Sequence, residues 1–159
     1  MRCCCVPFPT GWDVVMVAFH LMNQNTREAV FPATLRHRVG TLLMFAVRSI
    51  FARTDRVVHA MKELAAQGKI PQALADDPDP LGFLVHPGGA TSLTDAAYRY
   101  VRHEPGVDVV LFGTGDQVHL RDNIRSILGP PLPQADRDRL KELFSHLRGV
   151  GLVAPSRAR

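Results

Sequence analysis

Long apolar runs are missing from this sequence. No segment approaches the ~20 consecutive apolar residues that a membrane-spanning helix needs. The best stretch, Val14 to Met22, follows Arg2. Pro7, Pro9, Gly11 and Asp13 interrupt its approach, and no small-residue cleavage site follows it, which argues against a secretory signal. Cysteine is scarce: the three present are consecutive, Cys3, Cys4 and Cys5. Adjacent cysteines are poorly placed to bond one another. None remains to pair across the fold, so a reducing compartment fits. Structural zinc needs four ligands at wider spacing, and the seven histidines show no metal spacing on a shared face. Lysine is scarce too, supplying three of the 19 Lys and Arg residues, at Lys62, Lys69 and Lys141. The arginines are spread from Arg2 to Arg159. A nucleic-acid binder would gather its cations into a stripe, so the net charge of +4 reads as a solvated surface. No Gly-x-Ser-x-Gly arrangement for acyl transfer occurs. These absences predict a soluble, cytoplasmic protein that engages neither nucleic acid nor membrane.

What remains is one domain's worth of ordinary globular chain: 159 residues, 46% hydrophobic and 21% charged. Three continuous apolar runs read as buried strands: Asp13 to Phe19, Gly40 to Val47 and Val107 to Phe112. Continuous rather than alternating runs suit parallel strands covered on both faces. Helical patterns lie between them. Thr26 can cap one that reaches about His37, with Ala29, Val30, Ala33 and Leu35 as its apolar side and Pro32 bending it or marking its true start. A second is capped by Thr54, carries Val57, Val58, Met61, Leu64 and Ala65, and ends at Gly68. A third runs from about Ser92 to His103 and stops at Pro105-Gly106. A fourth starts at Asp116, and a last one follows the stiff Gly129–Pro133 segment. Residues 76 to 89 are rich in Pro, Gly and Asp and read as a long loop. The alternation predicts right-handed parallel crossovers. Three strands leave both sheet edges unpaired, so the pattern resembles part of a larger α/β structure.

The most informative stretch is Val110-Leu-Phe-Gly-Thr-Gly-Asp-Gln-Val-His-Leu-Arg-Asp-Asn-Ile124. A buried strand runs into Gly113-Thr114-Gly115, and a helix opens at Asp116. Glycines let an anion approach the backbone, and free N–H groups at a helix start favour phosphate. The same residues also make a simple tight turn with an aspartate cap. In eight-stranded α/β barrels the usual phosphate site lies after the seventh and eighth strands, close to a helix N-terminus.

Thr94 to Val107, followed by Val110-Leu-Phe-Gly113 and His119-Leu-Arg-Asp-Asn123, resembles the C-terminal signature of the aldo/keto reductases. Val14 to Asn23 is similar to that family's sixth barrel strand, and Arg38 to Arg48 to its seventh. The resemblance covers roughly residues 13–147. It implies an α/β fold made of part of a (β/α)8 TIM barrel, with strands corresponding to barrel strands 6–8. Residues 1–12 and a basic 148–159 are then expected to be disordered tails. The family reduces aldehydes and ketones with NADPH. The resemblance implies that Gly113, Thr114 and Gly115 face the adenosine-end phosphate, with His119 beside it. Asp122 and Asn123 would hydrogen-bond the adenine, and Phe45 would stack on the nicotinamide. Met16 stands where the family carries a carboxamide-binding Gln, and Gly115 where it carries Ser or Lys. The family's Asp, Tyr, Lys and His catalytic group belongs upstream of everything matched, so strands one to five and any catalytic residue are expected to be absent. Nothing in the spacing pairs Tyr98 or Tyr100 with a cation that would lower its pKa. The expected function is NADPH-dependent carbonyl reduction, carried here by a truncated, cofactor-binding chain. The alternative is a non-catalytic remnant acting as an interaction or nucleotide-binding module. The open barrel edge is expected to favour self-association.

Overall fold

The computed structural model describes residues 11–47, 50–51 and 53–150, and the cysteine run lies outside them. Three parallel strands, β1 (Val14–Ala18), β2 (Gly40–Met44) and β3 (Val109–Val110), form one sheet in chain order. Met16, Leu42 and Val109 share one cross-strand row, and Leu43 faces Val110 in the next. β3 is shorter than its apolar run predicts, although Leu111 N–H still donates to Leu43 O at 2.8 Å. Its register is pinned from outside the ladder. Thr41 Oγ1 donates to Gly106 O and accepts from Asp108 N–H, while Thr41 N–H donates to the Asp108 carboxylate at 2.8 Å.

Among the described residues, helices cover one face of this sheet and leave the other open. The crossover from β1 to β2 is α1 (Thr26–Ala29) and α2 (Phe31–His37), separate helices rather than one bent helix. Val30 leaves helical geometry just before Pro32, which sits in the first turn of α2 where its missing N–H costs nothing. Thr26 does not cap; its hydroxyl donates to Ala18 O and ties the helix start to β1. The predicted apolar side also differs, since Phe31 and Thr34 point inward and Leu35 outward. After β2 come α3 (Thr54–Ala66), α4 (Gln72–Asp76), a 3-10 turn at Gly82–Leu84 and α5 (Leu93–Arg102). α3 is preceded by Arg53, which makes no side-chain cap, so Thr54 is its first residue and not its cap. Val57, Met61 and Leu64 are its buried stripe. The expected loop over 76–89 is anchored by Leu81 and Leu84, both buried. α6 (Gln117–Leu128) and α7 (Gln134–Phe144) are the last elements among the described residues.

The core lies between the sheet and these helices. Phe19 sits at its centre, edge-on to Phe31 at 5.5 Å and stacked on Tyr100 at 5.9 Å. Gly106 turns the chain from α5 into β3 with φ +95°, and a Cβ there would lie 2.8 Å from the Phe31 Cβ, so only glycine fits. Arg148 and Gly149 reach back to Glu28 and Asn23. The opposite face of the sheet is open. Val14, Met16, Val109 and Leu111 are exposed on it, whereas Leu43 and Val110 on the helix side are buried. Among the described residues the sheet is thus covered on the helix side only, as three strands taken from a larger barrel would be. Among the described residues no helix is long and apolar enough to cross a membrane.

Candidate functional site

The C-terminal ends of β2 and β3 open onto a cleft of about 1020 Å3. Its walls are the end of β2, the start of α5, the loop leaving β3 and one side of α6. Phe45, Gly113, Thr114, His119, Asp122 and Asn123 all line it; Gly115 does not. The end of β2 and the start of α6, 73 positions apart, thus share one space.

Each wall has a local cause. Phe45 follows β2 directly with φ +67°, a left-handed conformation that a bulky residue adopts at a cost of ~1–3 kcal/mol and that clusters at ligand sites. Its ring is partly exposed to the cleft. Gly113 and Gly115 have ordinary negative or extended φ, and a Cβ added to either would meet nothing within 4 Å. The fold itself gives no steric reason for glycine at these two positions. Asp116 caps α6, accepting from Val118 N–H at 2.7 Å and His119 N–H at 3.0 Å, and these bonds hold its carboxyl below the usual range. Asp116 N–H in turn donates to Thr114 Oγ1. Three N–H groups around the helix start are therefore satisfied by the loop's own side chains. An anion must use the backbone before them.

The cleft floor is built by a residue without a predicted role. Arg99, buried on α5, donates from Nε to Pro130 O at 2.7 Å, from Nη1 to Gly89 O at 2.8 Å, and from Nη2 to Pro131 O at 3.2 Å. It also pairs with Asp95 at 3.3 Å. Burial alone would raise the Asp95 pKa, but Thr91 N–H, Ser126 and the Arg99 charge hold it below the carboxylate range. Ser92 caps α5 by accepting from Asp95 N–H. The Ser92-x-x-Asp95 spacing is a capping-box signal that sequence inspection could have used; the Arg99 bonds span up to 32 positions and leave none. On the rim, Arg125 pairs with Asp122 at 3.1 Å, fully in solvent.

Neither tyrosine has the environment of a proton donor. Tyr98 lines the cleft with its ring edge-on to Phe112 at 6.1 Å, and burial pushes its pKa up. Tyr100 does have a cation in reach, contrary to the spacing argument: Arg27 Nη2 donates to its hydroxyl at 3.0 Å. That cation is committed to Glu104, which it meets at 2.5 Å through two nitrogens. Burial outweighs it and pushes Tyr100 up to about 12. Tyr100 also lies in the core under Phe19, not on the cleft. His20 lies two residues past the end of β1, on the same side of the strands as the C-terminal rim. It is buried, accepts from Met22 N–H through Nδ1 and reaches Val150 O through Nε2, so it fastens the C-terminal segment. Among the described residues no group of three or more His, Cys, Asp or Glu is arranged to hold a metal.

No protein-family model matches this chain, and no curated protein does. Solved structures do. The holo form of aldo-keto reductase AKR11C1 from Bacillus halodurans superposes with a TM-score of 0.56 at 13% identity, over 87% of this chain and 44% of that one. The apo form gives 0.54 at 14% identity, over 87% and 46%. The chain spans less than half the length of the structures it matches. At this identity the likeness establishes the fold: an open α/β sheet with flanking helices, matching part of an aldo-keto reductase barrel.

Proposed function

We propose that this chain is the cofactor-binding part of an NADPH-dependent aldo/keto reductase and that its cleft takes the nicotinamide dinucleotide. The observation that carries the reading is the convergence of Phe45 with Gly113, Thr114, His119, Asp122 and Asn123 on one cleft. Two further features support it. Gly113 and Gly115 leave space where nothing in the chain requires it, and Phe45 is held in a costly backbone conformation at the same opening. In this reading the 113–115 backbone and His119 hold the phosphate at the adenosine end, and Asp122 and Asn123 bond the adenine. Phe45 offers its ring to the nicotinamide. When bound, NADPH would supply the hydride that reduces a carbonyl.

The chain's own residues do no more than bind and orient. The raised pKa values of Tyr98 and Tyr100 favour the neutral phenol but make proton release harder, and Tyr100 is turned away from the cleft. NADPH oxidation with 4-nitrobenzaldehyde should therefore match the no-enzyme control, which also fits a nucleotide-binding module without turnover. Asp116 places a negative charge at the start of α6 and competes with phosphate there. The affinity should be weak, with a Kd at or above roughly 0.1 mM. The test is titration with 2′-phospho-ADP-ribose while following the amide resonances of Gly113, Thr114 and Gly115. Asn123→Ala should weaken the response and Tyr98→Phe should leave it unchanged. A folded chain whose loop resonances do not move at saturation would leave this junction as a capped turn and nothing more.

A further inference from the structure

We propose that His86 is a pH-sensitive latch on the cleft floor: its charged ring closes the 86–89 turn against α7, and loss of the ring proton releases that turn and, through Arg99, loosens the floor. The inference rests on how the cleft is built and not on what occupies it. Residues 82–90 carry the chain from the 3-10 turn towards α5. They double back at Gly88, where φ is +87°, with Gly89 N–H donating to His86 O and Ala90 N–H to Leu84 O, both at 2.9 Å. The His86 ring lies across this turn. A Cβ on Gly89 would stand 2.6 Å from His86 Nε2, so the ring takes this place only over glycine. Nε2 reaches the Asp136 carboxylate on α7 and Nδ1 the Pro87 carbonyl, each at 3.0 Å. The carbonyl of Gly89 is in turn held by Arg99 Nη1 at 2.8 Å. Ring, turn and cleft floor thus form one run of contacts.

Both partners of the ring are acceptors. An imidazolium has a donor for each, whereas a neutral imidazole has one donor in all. On losing its proton the ring keeps the stronger bond, to the carboxylate, and its Nδ1 lone pair then faces the Pro87 oxygen. The turn loses the bond that closes it. The other charges around this turn have partners of their own. On α7, Arg139 lies over the Phe83 ring at 4.1 Å. On α5, Arg99 holds Gly89 O and pairs with Asp95 at 3.3 Å. Within the segment itself, Asp79 lies against Gly82. Asp136 is therefore the charge that governs the ring. Its bond, then that to Pro87 O, raise the His86 pKa above the usual histidine value. The latch is closed in mild acid and opens as pH rises through the raised value.

An NMR titration of the full chain, without ligand, from about pH 5.5 to 8.5 tests this across the histidine range. It follows the His86 ring, the amides of Gly89 and Ala90, and the Arg99 Nε–H that donates to Pro130 O. All should shift with one midpoint, above 6.5. Protection of the Gly89 and Ala90 amides, corrected for the intrinsic pH dependence of exchange, should fall about two- to tenfold through that midpoint, as for the loss of one hydrogen bond. His86→Gln should abolish the titration at Gly89, Ala90 and Arg99. Asp136→Asn removes the governing charge and should move the shared midpoint down towards 6.5; if His86→Gln does not fold, this variant carries the test. His103, on Gly129 O, and His119, on the cleft wall, are other histidines near the floor. His103→Gln and His119→Gln should leave the midpoint where it is. Flat signals at Gly89 or Arg99 overturn the proposal. So does a midpoint that follows another histidine, or a titration that survives His86→Gln or keeps its midpoint in Asp136→Asn.

Discussion

The two faces of the sheet carry the same kinds of residue and meet opposite fates. On the helix side, Leu43 and Val110 are buried in the same core as Phe19, Phe31 and Tyr100. On the other side, Leu42 and Val109, one residue away on the same strands, face an opening. Nothing in hydropathy separates Leu42 from Leu43. The difference is topological: every crossover here places its helices on one side, and no segment of the described chain returns to the other. A strand therefore records that it will be covered, but not by which polypeptide.

The sharpest way to break this comparison is to truncate one leucine on the covered face. Leu43→Ala should cost about 3 kcal/mol in urea denaturation, because the cavity it leaves is closed on all sides. Met16→Ala, which shortens an exposed side chain, should change stability by less than ~0.5 kcal/mol. Similar losses at both positions would show that the open face is covered in the isolated chain.

Next in size is the polar brace beneath the covered face. Burial alone would lower the Arg27 pKa, but its hydrogen bonds to Glu104 and Tyr100 raise it on balance. Arg27→Met removes the cation and strands Glu104 nearly buried, at an expected cost of about 2–3 kcal/mol. The double variant Arg27→Met/Glu104→Gln should recover part of that loss.

Helix caps sharpen the comparison at a smaller scale. Ser92→Ala removes the cap of α5, which lies against the sheet, and should cost ~1 kcal/mol of global stability. Asp116→Ala removes the cap of α6, which buries no residue. Its effect should stay local, as faster amide exchange over 117–120 with little change in the unfolding midpoint.

The smallest effect concerns pH. His86 Nε2 lies 3.0 Å from the Asp136 carboxylate and Nδ1 3.0 Å from Pro87 O, so both ring nitrogens face acceptors and the charged ring suits both. The Asp136 bond, then the Pro87 carbonyl, raise the His86 pKa above 6.5. A raised folded-state value means that the contribution is complete below about pH 6.5 and is lost as pH rises through the higher value. Thermal stability should therefore decline slightly from pH 6.5 upward, and His86→Gln should flatten that decline. A stronger slope in the variant would show that another group titrates there.

Local signals were legible in the sequence and distant ones were not. Ser92 and Asp116 as helix starts, the Pro105-Gly106 stop and the three apolar strands could be read because each depends on neighbours within a few residues. The split at Val30 was half-visible through Pro32, whose position in a first turn fits a new helix better than a bend. The cleft residues after β3 were legible as a glycine-containing strand–helix junction. The partner of Tyr100 was not, since Arg27 lies 73 positions away. The one-sidedness of the sheet was legible only through topology: three strands of a larger barrel leave one face without its cover, whereas a continuous apolar run reads the same in either case.

Arg99 has a consequence for motion. One planar guanidinium holds carbonyls from the turn before α5 and from the segment after α6, none of which belongs to a helix or strand ladder. Those segments cannot drift separately while its fork is in place. The cleft floor should thus open and close to solvent as a single unit, with the amides around Gly89 and Gly129 exchanging at matched rates. A lysine at this position keeps the charge but replaces a rigid fork with one flexible point of attachment. Arg99→Lys should uncouple the two rates, and the cleft would lose its fixed shape before the domain lost its fold.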